Sequence, residues 1–368
     1  MERGVLRYIY YPDDRQGLDI TPYVDGGASI DVKRNTIGTC SIKTTYRALY
    51  RLLKATRMTA EDFLVEWFSR LDVVDEQHHR VFSGVLNTFP ELSMNDIDAG
   101  MTLEFSSWLA LTQGYQVRPQ TWTNVRLDTI LVEALQQGNK ASDGGREPWN
   151  IGIGDVVQLA KVTWTLDSPK TLCEFLTQRT DNVSGAGLFD ITIDAEKRFD
   201  VLQPVGRDTD IVLQYGGPGS NTINADYPAW SDYYTSVYVT GAGNSYGAVG
   251  TTLQTEASNG QSLARHYFYE KYSQNSDITD MDQLNEEAQR QLKYSATPAT
   301  APTLTISPTA LGLHMYRGGD LWLGDTVALN PLGLFKLYPH TDRARVNEIA
   351  LTIDNNNMQT AKLGMVMA

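Results

Sequence analysis

The sequence is poor in the groups that usually do chemistry. Of 368 residues only Cys40 and Cys173 are cysteines, and no Cys-x-x-Cys occurs. Two distant cysteines build no disulfide framework, and both read as small buried residues. Histidine is scarce. The adjacent pair His78-His79 would point to opposite faces of a strand and cannot easily hold one metal, so it reads as two exposed turn histidines before a strand. Long hydrophobic runs are missing: nothing approaches the ~20 apolar residues of a membrane span. The stretch from Met1 to Arg7 lacks the apolar core of a signal peptide, which leads to the expectation of a chain that matures in a cytoplasm. Charge is low at 20% and lopsided, with 44 acidic against 31 basic residues and a net charge of -13. No basic stripe of the kind that grips phosphates is evident, and the acidity reads first as a source of solubility. The Gly-x-Ser-x-Gly elbow, the phosphate-cradling Gly-x-x-x-x-Gly-Lys-Ser/Thr and the metal-binding His-Glu-x-x-His are all absent.

What is present is the material of a β-rich chain. Hydrophobic residues make up 41%, enough for real cores, and 30 glycines and 19 tyrosines accompany short Val- and Ile-bearing runs. The length suits two to four domains of about 100–200 residues. Strands are expected at Val5 to Tyr11, Ala28 to Lys33, Val81 to Leu86 (with Gly84 where backbones approach closely) and Met101 to Leu111. Between them Tyr46, Leu49, Tyr50 and Leu53 repeat at helical spacing. Leu64 to Val74 fits helix and strand equally.

A second helix has Leu127, Ile130, Leu131, Ala134 and Leu135 on one face, with Asn124 or Thr123 as N-cap and Gly138 as its stop. Residues 139–150 read as a loop. Ser168-Pro169 suits the start of a third helix that buries Leu172, Phe175 and Leu176. The alternation from Leu188 to Asp194 resumes at Phe199 and Val201, which makes a hairpin. Further strands fall at Ile211 to Tyr215, Thr235 to Val239, Leu321 to Leu323, Val327 to Leu329 and Ile349 to Ile353. A helix near Thr279 or Asp280 would bury Met281, Leu284, Ala288 and Leu292. Residues 297–308, with Pro298, Pro302 and Pro308, read as an extended connector. Asp354 to Asn357 reads as a hairpin turn.

The candidates for chemistry all have plainer readings. Gly241-Ala242-Gly243-Asn244-Ser245-Tyr246-Gly247 follows a strand, but no apolar-periodic helix begins at once, so a dinucleotide phosphate would lack its helix N-terminus. Asp277, Asp280 and Asp282 lack the glycine and distal glutamate of a calcium loop and suit helix capping. Glu61, Glu66 and Glu104 are the carboxylates that could pair for glycoside cleavage. Trp108, Trp122, Trp149, Trp164, Trp230 and Trp322 are spread over all segments, as core and interface residues are. No catalytic, cofactor-binding or metal-binding residue is assigned, and an enzyme is not expected.

The order of elements resembles the tail-hub (baseplate-hub, or hub-like minor tail) proteins of long-tailed bacteriophages. The residues that carry the likeness are Val81-Phe82-Ser83-Gly84-Val85-Leu86, Leu127 to Gln137, Thr171 to Asp181 followed by Phe189 to Asp194, and Tyr238 to Gly243. Late in the chain they are Asp282 to Leu292 followed by Gly319-Asp320-Leu321-Trp322-Leu323-Gly324-Asp325-Thr326-Val327. The chain departs from the family pattern at the helix-like Tyr46 to Lys54 and in the polar stretch 216–233.

The resemblance implies an α+β, β-rich fold with two tube-forming β-barrel domains and inserted α+β and helical segments. The first barrel would span 1–120, the α+β domain 121–205, the second barrel 206–250 with 296–368, and the helical insertion 251–295. No internal repeat is visible, so the two barrels rest on the resemblance alone. It further implies a structural protein of the virion tail tip, assembled in the host cytoplasm. A homotrimeric ring would join the sixfold tail tube to a threefold tip. Its partners would be the distal-tail or tube ring, the tape-measure protein and tip or fibre proteins, with DNA passing through the lumen unbound. The competing expectations are a tail-associated cell-wall hydrolase and a host-glycan-binding tip protein.

Overall fold

The computed structural model describes residues 5–12, 16–25, 27–90, 98–142, 150–177, 189–226, 236–241, 248–252, 270–274, 284–285, 287–289, 291, 302–332 and 343–367. The first stretch comprises β1 (Arg7–Tyr11), β2 (Leu18–Asp19), β3 (Ala28–Lys33), β4 (Thr39–Thr45), α1 (Tyr46–Thr56), α2 (Ala60–Phe63), β5 (Arg70–Val74), β6 (Arg80–Leu86) and β7 (Gly100–Ser107). A 3-10 segment, Trp108–Gly114, leads into β8 (Gln116–Val117), β9 (Gln120–Arg126), α3 (Leu127–Ser142), β10 (Gly152–Val156), β11 (Lys161–Leu166), β12 (Lys170–Thr171), α4 (Leu172–Thr177), β13 (Asp190–Ile193) and β14 (Arg198–Leu202). Then come β15 (Asp208–Tyr215), β16 (Asn224–Asp226), β17 (Ser236–Thr240), β18 (Ala248–Thr252), β19 (Glu270–Gln274), β20 (Thr303–Ile306), α5 (Pro308–Leu311), β21 (Thr326–Pro331), β22 (Arg343–Ile353) and β23 (Gln359–Met367). The fold is β-rich with few helices.

Strands from both ends of the chain join one 13-stranded sheet. Its order is β16-β20-β23-β22-β3-β4-β7-β6-β5-β1-β2, with β21 also on β22 and β15 parallel to β21. The joint is β22. It pairs with β23 along its length, with β21 through Arg343 to Arg345, and with β3 through Glu348 to Ile353. A register shift between Val346 and Glu348 separates the two partners. Such a bulge bends and twists a strand, which lets one strand serve two differently oriented neighbours.

Period-two burial places one face of this sheet in a single core. That core runs from Tyr8, Tyr10, Ile30, Ile42 and Phe105 to Leu213, Tyr215, Val346, Leu351 and Leu363. Each half also curls at its end. Asn221 donates through Nδ2 to Val212 O and accepts at Oδ1 from Gln214 N–H, and Ile223 N–H reaches Thr305 O, so residues 221–223 span from β15 to β20. Likewise Thr44 Oγ1 donates to Tyr23 O, and Asp25 N–H to Lys43 O. The ladder among the described residues stays open.

Gly84 behaves as its sequence setting suggests: a Cβ there would run into the Ser106 carbonyl on β7. The turn Asp354 to Asn357 closes the β22–β23 hairpin. Asn357 takes φ 58°, and the Asp354 carboxylate accepts from Asn356 and Met358 N–H at 2.8 Å each. The strand that follows, β23, carries no prior sequence assignment.

The middle of the chain packs round a second core containing Trp122, Trp164, Phe175, Phe189 and Phe199. Trp164 and Phe175 stack at 4.4 Å between ring centres, and Trp122 leans on both. The antiparallel ribbon β9–β11 carries this pair of tryptophans in register. A third sheet, β18-β17-β19, buries Val237 and Val239 against Leu284 and Ala288. The remaining parts of that helix expectation, Met281 and Leu292, lie outside the described residues.

Several local expectations need correction. α1 buries Leu49 and Leu52, with Tyr46 and Leu53 partly covered, whereas Tyr50 is 59% exposed. Leu52, not Tyr50, completes the stripe because the helix turns 100° per residue. The strand expected to reach Leu111 ends at Ser107.

α3 has no cap at Thr123 or Asn124. β9 runs directly into it, and Leu127 N–H bonds to Ala160 O. Gly138 does not stop the helix but lies buried inside it, and the turns through 139–142 remain helical. Ser168-Pro169 precedes β12, and Thr171 is the cap of α4: its Oγ1 accepts from Glu174 N–H while its own N–H donates to Glu174 Oε2. That reciprocal pair is a capping box. Pro308 opens α5 after the N-cap Ser307 and does not extend a connector, and β20 fills 303–306. Leu321 to Leu323 form a turn, not a strand, tied by Trp322 N–H to Asp325 Oδ2.

Candidate functional site

A concavity lies where the sheet meets the middle of the chain. It holds about 460 Å³ and is walled by Val32 and Arg34 at the end of β3, Leu109, Ile191 and Ile193 of β13, and Trp322. Its polar side chains are clasped in pairs. Arg34, 5% exposed, lies 2.6 Å from Asp190, and its Nη1 donates to Asn347 Oδ1 at the bulge of β22. Asn35 adds bonds to the Asp190 carboxylate and to Ile191 N–H. Arg317 Nη1 donates to buried Asp200 at 2.7 Å, and Arg80 pairs with Glu196. Beside and at the cavity, Arg34 just after β3, Arg80 on β6 and Arg317 in the turn after α5 thus grip Asp190, Glu196 and Asp200, all of the β13–β14 hairpin. Buried Asp325 receives the main-chain N–H, Nε and Nη2 of Arg207, which secures the close crossing of Gly206 over Gly324. With every such cation matched to a carboxylate, the cavity reads as a charge-neutral joint that orients two parts of the fold.

Of the described residues singled out as candidates for chemistry, Trp322 lines this cavity and the others fall elsewhere. His78 and His79 are exposed in the β5–β6 turn, as expected, with His78 at φ 65°. His79 Nδ1 bonds to Asp75 and its ring stacks on Tyr316 at 4.5 Å. Glu66 accepts from Phe89 N–H at 2.6 Å and so clasps a loop. Glu61 lies in the first turn of α2, and Glu104 stands on the solvent face of β7. None of these carboxylates lines the cavity. Trp108, Trp122 and Trp164 are core residues, and Trp322 is partly buried. Cys40 and Cys173 are free and buried, and burial pushes both thiols above the usual range. Trp149, Trp230, the glycine-rich loop from Ala242 and the Asp277–Asp282 cluster lie outside the described residues. Among the described residues no group of His, Cys, Asp and Glu is arranged to hold a metal, and no helix is long and apolar enough to cross a membrane.

Two surfaces stand out instead. The solvent face of the central strands is lined by small hydroxyls. Ser29 faces Ser41 across β3 and β4 with their Oγ atoms 3.1 Å apart, and Thr352 faces Ser29 and Thr360. Around them Asp31, Glu104 and Glu348 balance Lys33, Lys43 and Lys362. The second surface is α1, whose exposed side carries Arg47, Tyr50, Arg51 and Lys54, followed by Arg57 at the C-cap. A basic stripe therefore exists in this acidic chain, contrary to the sequence expectation. It was hidden because its cations are spaced through a helix with leucines between them.

No protein-family model and no curated protein matches the chain. Solved structures do, over nearly its whole length. A tail protein from Neisseria meningitidis MC58 superposes with a TM-score of 0.64 at 10% identity, covering 98% of this chain and 96% of that one. The chain has the fold of a phage tail protein. The 43 kDa tail protein of prophage MuSo2 from Shewanella oneidensis gives 0.61 at 13% identity, with 98% and 97% covered. A prophage tail protein from Listeria monocytogenes EGD-e gives 0.54 at 11% identity, with 98% and 95% covered. Identities this low establish the shared fold and nothing finer.

Proposed function

We propose that the protein is a structural component of a phage-type tail and, more finely, its hub: a homotrimeric ring between the sixfold tail tube and a threefold tip. The observation that carries this reading is the full-length likeness to prophage tail proteins together with one sheet that runs through both halves of the chain about β22. Two tube-forming halves in each subunit would give three subunits a pseudo-sixfold ring, and symmetry matching would be the protein's task. The partners in this reading are the distal-tail or tube ring, the tape-measure protein and tip or fibre proteins, and the place of action is the virion.

The Ser- and Thr-lined face of the central strands suits a channel wall. Its acidic and basic side chains balance, so it offers no continuous row of cations to DNA phosphates, and nucleic acid would pass without sticking.

Sedimentation equilibrium tests the ring directly. The reading expects a trimer. A chain that stays monomeric in solution and forms no ring in purified particles would contradict it.

A further inference from the structure

We infer that the basic face of α1 on one copy docks against the acidic, partly apolar edge formed by β15 and β16 on the next. The inference rests on the ring reading and supplies the contact that closes it. α1 follows β4 and covers the inner side of the first half of the sheet, where Leu49 and Leu52 share a small cavity with Tyr10, Ile20, Ile42 and Leu103. Its inner face is buried, so it has no apolar side left to insert into a bilayer. Its outer face presents Arg47, Arg51 and Lys54 around Tyr50, and Arg47 also pairs with Asp98 at the adjoining surface. An exposed tyrosine among arginines has the composition of an interface anchor and is unlike the rest of this acidic chain.

The second half of the sheet carries its complement. β16 is the outermost strand there, and β15 lies beyond β21. Their solvent sides carry Asp210 and Asp226, together with Asp208, which pairs with Arg343 of the same subunit at 3.4 Å. Beside these acids stand Val212 and Ile223, 44% and 63% exposed, brought to the same edge by the bonds from Asn221 to Val212 and Gln214. One patch offers cations around an aromatic ring; the other offers carboxylates around aliphatic side chains. They occupy different places on the subunit, so a contact between copies is heterologous, and such contacts close into rings or run into filaments. An α1 turned towards a neighbour also keeps its cations off the channel wall.

Charge reversal with rescue tests the contact. Arg51→Glu/Lys54→Glu and, separately, Asp210→Lys/Asp226→Lys are compared with wild type by sedimentation equilibrium on the full chain and by incorporation into tails. Each pair alone should weaken self-association about tenfold or more, and the two together should restore it. All four positions are exposed, so the melting temperature should not move. If it does, the neutral pair Arg51→Gln/Lys54→Gln replaces the reversal and should weaken association in the same direction. A trimer indifferent to these changes overturns this contact and leaves the ring reading standing. A chain that forms no ring in solution or in tails removes both. Loss of binding to anionic vesicles or duplex DNA by the α1 variant, with assembly intact, would assign the face to those partners and overturn the inference.

Discussion

In the 13-stranded sheet the buried side chains come from alternate positions of strands hundreds of residues apart, such as Ile30 on β3 facing Leu351 on β22. In the middle of the chain the core is aromatic and local: Trp122, Trp164 and Phe175 lie within one run and meet ring on ring. The sheet's continuity is a matter of backbone register, which tolerates many side chains as long as the face is right. The middle depends on a few large rings and on the arginine clasps that fix it to the sheet. A chain can keep the first arrangement while its sequence diverges widely, which suits full-length superposition at about 10% identity with no family model matching. The difference predicts where damage spreads.

The largest effect should come from Phe175→Ala. Removing a fully buried ring costs about 3–5 kcal/mol. Hydrogen exchange should then rise across β9, β11 and β14 while β3 and β22 keep their protection. Equal loss in both regions would show that the two cores unfold as one unit. Arg34→Ala leaves Asp190 buried without its cation and should cost about 3–5 kcal/mol by denaturant unfolding, with exchange rising at the joint of β3, β22 and β13. An effect below about 1 kcal/mol would mean that the joint is held by apolar contact alone.

Within the sheet, Gly84→Ala forces a Cβ into the Ser106 carbonyl and should cost about 1–3 kcal/mol. Gly100→Ala, with nothing nearer than 4.0 Å, should stay within about 0.5 kcal/mol and serves as its control. The smallest effect is electrostatic. The Asp320 carboxyl is held below the usual carboxylate range, first by the His314 main-chain N–H at 2.8 Å and further by the His314 ring. A depressed folded-state pKa contributes stability above the unfolded value, and the contribution disappears as pH falls through the folded one. Asp320→Asn should therefore shallow the acid limb of the stability curve slightly and leave the region well below both values unchanged.

Much of the sheet was legible in the sequence because period-two alternation survives wherever one face is wet. Ala28–Lys33 is the clear case in the sheet and the β13–β14 hairpin the clear case outside it, whereas Val81 to Leu86 was legible as a continuous apolar run. Thr171 was passed over as a cap because Ser168-Pro169 is a louder signal, although Thr171-x-x-Glu174 carries the capping box. β23 was passed over although it alternates, with Ala361, Leu363 and Met365 inward and Thr360, Lys362 and Gly364 outward, because its inward side begins with Gln359 and a small Ala361. The basic face of α1 escaped for a different reason. Net charge sums over the chain, and cations that gather on one side of a helix become visible only when the helix is drawn with its leucines turned inward. No sequence pattern announced the joining of the two halves at β22, since pairing between residues near 30 and 350 has no local signature.

The proposed ring of three copies has a channel through which DNA would pass. Cryo-EM of the tail carrying this protein tests it most directly. The account predicts three copies around an axial channel between tube and tip, with the Ser29, Ser41 and Thr352 face towards the lumen. A single copy, or copies bound to the outside of the tail away from the channel, would contradict it.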